Sequence, residues 1–110
     1  MKAMLKRIVD IIEDKKGEQT VVLDISEISS LADFFVISSA NNINQLQAIS
    51  DDLKDILEKE DLEIRKVEGA KNSTWILLDC SDIVIHLFTK EDRIFYNLER
   101  IWADAKQVEL

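Results

Sequence analysis

The chain has 110 residues, 46% hydrophobic and 33% charged, which is the size of one domain with its own core and the composition of neither a disordered nor a membrane-spanning chain. Its 22 acidic and 14 basic residues give a formal net charge of -8, so the surface repels phosphate backbones and attracts basic partners. Cys80 is the sole cysteine; an intrachain disulfide and an all-cysteine metal site are excluded, and a reducing, cytoplasmic setting is expected.

The N-terminal apolar stretch is broken by Asp10, Glu13 and Asp14, which a secretory segment would not carry. Met4, Leu5, Ile8, Val9, Ile11 and Ile12 instead recur at helical spacing, and Gly17 is placed to end that helix. Val21 to Ile25 form a short β-branched run around Asp24, and residues 33–38 form a second run that is apolar on both faces, as in a strand covered on both sides. Asn42 and Gln45 suit a capping box. Behind them Leu46, Ile49, Leu53, Ile56 and Leu57 line one stripe of a long helix.

Leu62, Ile64 and Val67 alternate with charged residues, the pattern of a half-exposed strand near a sheet edge. Trp75 to Leu78 and Ile83 to Phe88 are two further strands joined by Asp79, Cys80, Ser81 and Asp82, a hairpin length. Thr89 and Asp92 suggest a second capping box before a short helix through Phe95 and Tyr96. The tail, residues 103–110, shows no pattern. This order predicts a single α/β domain over residues 1–110, a small mixed β-sheet flanked by helices with the long helix as a crossover.

Few residues suggest chemistry. His86 is the sole histidine and the one side chain that ordinarily titrates near neutrality; sharing a strand face with Val84 and Phe88, it reads as a packed or interface residue. Cys80 lies beside Asp79 and Asp82, whose charges disfavour a thiolate. Those two carboxylates specify a metal only weakly, so no metal and no cofactor is expected. Trp75 follows an exposed loop and stands near the acidic turn, an aromatic ringed by charge as at interface hot spots. Glu91, Asp92, Arg93, Glu99 and Arg100 read as the solvated side of the last helix.

The stretch WILLDCSDIVIHLFTKEDRIFYNLERIW, residues 75–102, together with VVLDISEISSLADFFVISSA, residues 21–40, resembles the bacterial ribosomal silencing factor family RsfS, related to Iojap. The likeness runs from about residue 21 to 102. It implies a fold similar to the nucleotidyltransferase core, and that likeness raises an enzyme as the alternative. Nucleotidyl transfer needs a Gly-Ser phosphate segment and paired carboxylates for Mg²⁺. Here the region reads Ser38, Ser39, Ala40, Asn41, Asn42, and Asp51 and Asp52 diverge on a helix. The expectation is therefore no enzyme and no catalytic residue.

What the resemblance implies instead is a factor that binds the large ribosomal subunit through its ribosomal protein number fourteen, sterically blocks subunit joining and represses translation when nutrients are scarce. The positions matching the family motif are Trp75, Leu77, Asp79, His86, Arg93, Tyr96 and Leu98. Trp75 and Leu77 are expected as apolar anchors, Asp79 as an acceptor for Arg or Lys, and Tyr96 as a rim residue. Ser81 stands where family members often have glycine. A homodimer in isolation is a further expectation, and a generic dimeric adaptor is a third reading; neither membrane nor direct sequence-specific nucleic-acid binding is expected.

Overall fold

The computed structural model describes residues 2–30, 32–69, 73–96 and 103–110, with residues 95 and 96 described by their backbone only. Its elements run α1 (Lys2–Asp14), β1 (Glu18–Asp24), β2 (Phe34–Ala40), α2 (Ile43–Lys59), β3 (Lys66–Glu68), β4 (Trp75–Asp79), β5 (Ile83–Thr89), α3 (Lys90–Tyr96) and β6 (Lys106–Gln107). The strands form one sheet in the order β3-β4-β5-β2-β1-β6. β2 and β5 lie parallel at its centre, and every other pairing is antiparallel. The fold class is the mixed α/β sheet flanked by helices that the element order predicts.

Period-two alternation gives the sheet two faces. Val22, Val36, Ala40, Ile76, Leu78, Ile83, Ile85 and Leu87 pack with the apolar stripes of α1 (Leu5, Ile8, Ile12) and α2 (Leu46, Ile49, Leu53, Leu57) in one core cluster. Leu23, Ile25, Phe35, Ile37, Val84 and Phe88 form a second cluster on the other face. β5 is buried at every position, which explains why it reads as an unbroken apolar run.

Several local devices differ from their sequence reading. The left-handed residue that closes α1 is Lys16, at φ 66°. Gly17 is needed for close approach instead, since a Cβ there would lie 2.3 Å from Ile12 Cγ2. At the start of α2, Asn42 Oδ1 accepts from Gln45 N at 2.8 Å. The Gln45 side chain accepts from Asn41 N and donates to the carbonyls of Lys15 and Lys16, so it ties α2 to the end of α1 as well as capping it.

The half-exposed strand is shorter than its alternation. Leu62 N bonds back to Leu57 O at 2.9 Å, extending the helix end, and only Lys66–Glu68 pairs with β4. Thr89 is the last residue of β5, directly before α3, and Asp92, the acidic member of the expected capping box, accepts from Thr74 Oγ1. The tail contains β6, which pairs with β1 and is followed by a Val108 N to Val22 O bond of 2.8 Å. Among the described residues no helix is long and apolar enough to cross a membrane.

Candidate functional site

The spacing of Trp75, Leu77 and Asp79 puts their side chains on one face of β4. The register then lays out rows across that face. Leu77 stands between Glu68 on β3 and His86 on β5, and His86 neighbours Ile37 on β2. Asp79 stands between Lys66 and Val84, and Trp75 opposes Phe88, whose neighbour on β2 is Ser39. This is the face of the second core cluster, against which Trp75 and Leu77 pack.

Exposure divides the nominated residues. Trp75, Leu77 and Asp79 are half-buried and mark the margin where the face opens toward the sheet edge. Glu68, Trp75 and Leu77 line a recess of about 160 Å³ there. Trp75 stacks on Phe88 with ring centroids 4.9 Å apart, so its ring is fixed by the core while part of it stays at the surface. Lys66 and Glu68 form an exposed ion pair at 2.8 Å on the outermost strand, and that pairing raises the Lys66 pKa. Asp79 Oδ1 accepts from Ser81 N at 2.9 Å, holding the turn in which Ser81 takes φ 71°. The left-handed conformation there accounts for glycine suiting this position.

His86 lies deeper, 5% exposed, edge-on to Phe35 at 4.7 Å and within 6.1 Å of Trp75. Neither ring nitrogen has a hydrogen-bond partner among the described residues, and burial pushes its pKa down to about 4. It is a packed neutral imidazole, as a lone histidine between Val84 and Phe88 suggests. Burial likewise pushes the Cys80 thiol up to about 11, with the Asp79 charge adding to it; the acidic neighbour foreseen from sequence is the smaller cause.

Arg93 is not on a solvated helix side: it is 8% exposed, and its Nη1 donates to Ser39 Oγ at 2.8 Å and to Gln19 O. Ser38 Oγ is shared with Thr20 Oγ1 at 2.8 Å and with Glu18 O. The hydroxyls that a phosphate would need are therefore buried and engaged within the protein. The side chain of Tyr96, and Leu98 altogether, lie outside the described residues. Among those described, no group of three or more His, Cys, Asp or Glu is placed to hold a metal.

Sequence reasoning did not nominate Glu68 or Ile94. Glu68 enters only through the register that sets it beside Leu77. Ile94 is 80% exposed, and the signal for it was an apolar residue directly after the charged run of residues 90–93.

Fold and face together define a small α/β domain with α1 and α2 covering one side of a mixed sheet and an aromatic, partly open face on the other. The chain belongs to the ribosomal silencing factor family: the family model described as "Ribosomal silencing factor during starvation" matches residues 1–110. It is 43% identical over 107 residues to ribosomal silencing factor RsfS of Halalkalibacterium halodurans, covering 97% of this chain and 92% of that one. A chloroplastic Iojap protein of Arabidopsis thaliana is 34% identical over 98% of this chain, which spans 45% of that longer protein. A crystal structure from Bacillus halodurans, 39% identical, superposes with a TM-score of 0.88 over 100% of both chains.

Proposed function

We propose that this protein silences ribosomes by occupying the large subunit, docking through ribosomal protein number fourteen, so that the small subunit cannot join and translation falls under nutrient limitation. Membership of the ribosomal silencing factor family over the whole chain is the observation that carries this reading. The site supports it through the half-buried row Trp75, Leu77 and Asp79, an arrangement of aromatic anchor and charged rim suited to a protein interface. A net charge of -8 favours a basic ribosomal protein over RNA as the contact, and steers association more than it sets final affinity.

The action needs affinity and bulk, with no reaction step, cofactor or metal. The protein works in the cytoplasm, and a homodimer is its proposed state away from ribosomes; β3, paired on one side only and exposing Val67 at 41%, offers a strand edge for that contact.

Sedimentation with separated subunits tests the reading. The protein co-migrates with large subunits and not with small ones; equal migration with both, or with neither, contradicts it.

A further inference from the structure

The geometry points to Arg93 as a positioning residue: its buried guanidinium fastens α3 to an irregularity in β1, and so holds the exposed side of α3 beside the docking face. The inference rests on the docking reading above for its functional consequence, and on hydrogen bonds and one ion pair for its structural part.

The register of β1 against β2 shifts between Glu18 and Val21, and Gln19 adopts φ 51°. A bulge of this kind takes backbone carbonyls out of the ladder and leaves them to other donors. Arg93 Nη1 supplies them, donating to Gln19 O, to Ser39 Oγ at 2.8 Å and, more weakly, to Glu18 O at 3.4 Å. Lys90 Nζ pairs with the Glu18 carboxylate. Lys90 and Arg93 are three apart and share one side of the helix, so α3 is tied twice to the same bulge. A third tie, Asp92 with Thr74 Oγ1, joins α3 to the start of β4 immediately before Trp75.

A guanidinium 8% exposed cannot offer its charge to a docking protein, whereas its neighbour Ile94 is 80% exposed. Arg93 thus acts through the placement of α3, and Ile94 is the residue it presents. Lysine would keep the charge, but its ammonium ends a bond short of the Nη1 position at which Glu18 O, Gln19 O and Ser39 Oγ converge. Ser39 is 1% exposed, so its loss acts on the clamp and not on a surface contact.

The variants R93K and S39A, made in the full chain, are compared with wild type by hydrogen exchange and by titration with purified large subunits. In R93K the amides of residues 90–94 exchange about tenfold faster while β2 and β5 stay protected. Affinity for large subunits falls about tenfold, as loss of charge-assisted hydrogen bonds predicts. S39A moves both readouts the same way by about threefold, and the double variant is little worse than R93K, since coupled residues are non-additive. R93K at wild-type affinity would show that docking does not depend on the clamp and would overturn the proposal. So would S39A with unchanged exchange, which decides the matter by itself should R93K fail to fold. Wild-type protein that ignores large subunits would sink the docking reading instead, and the exchange arm then decides on Arg93.

Discussion

Ser81 is a non-glycine residue held at φ 71° in the turn that carries Asp79 at the candidate face. The left-handed region costs an L-residue roughly 1–2 kcal/mol, and the greater freedom of an unfolded glycine offsets part of that. Ser81→Gly therefore raises stability by about 0.5–1 kcal/mol in urea unfolding; a loss of stability would show that the Ser81 side chain, not its backbone, holds the turn.

His86 gives the protein a defined acid sensitivity. Its folded pKa of about 4 lies below the ordinary 6.5, so between those values the unfolded chain binds a proton that the folded one does not. Stability contributed by the neutral, buried ring is complete above about pH 6.5 and is lost as pH falls toward 4, by about 3 kcal/mol in all. Replacing His86 with phenylalanine removes this component, and the wild-type minus variant difference in stability should grow steadily less favourable to wild type over that window. A pH-independent difference would mean that the imidazole is solvated.

Trp75 does not fall cleanly into core or surface. It stacks on Phe88 at 4.9 Å yet stays half-buried. Trp75→Ala accordingly lowers both quantities: folding stability by about 2 kcal/mol, less than a fully buried tryptophan costs, and affinity for large subunits by about thirtyfold. A melting curve and a binding titration on the same preparation separate the two. Normal binding by the folded fraction would place Trp75 in the core alone.

At the level of elements, segments with a pattern of their own were legible, the short β4 and α3 included, and β6 was not. The stripes of α1 and α2, and the unbroken run of β5, follow from periodicity over many residues. β6 has two residues and exists because β1 offers it an edge, which no local pattern announces. Val108, directly after it, packs against the main core. Removing residues 106–110 exposes the β1 edge and costs about 2 kcal/mol of stability; an unchanged urea midpoint would make the tail incidental. The candidate face was legible in part for the same reason. Spacing by two aligns Trp75, Leu77 and Asp79 without any knowledge of the sheet. The burial of Arg93 was not legible, because its acceptors come from a bulge 74 residues earlier in the chain.

For the whole molecule, the net charge of -8 predicts association that weakens with salt, since the Debye length shrinks from about 10 Å at 0.1 M to about 3 Å at 1 M. Most of that change should appear in the association rate, and little in dissociation, if the proposed anchors Trp75 and Leu77 set it.

The most direct test of silencing follows subunit joining by light scattering. Large subunits are preincubated with increasing protein before small subunits and Mg²⁺ are added. Scattering from joined ribosomes should fall as protein is added and level off at one protein per large subunit. Joining at the full rate and extent, with large subunits saturated by bound protein, would contradict the account.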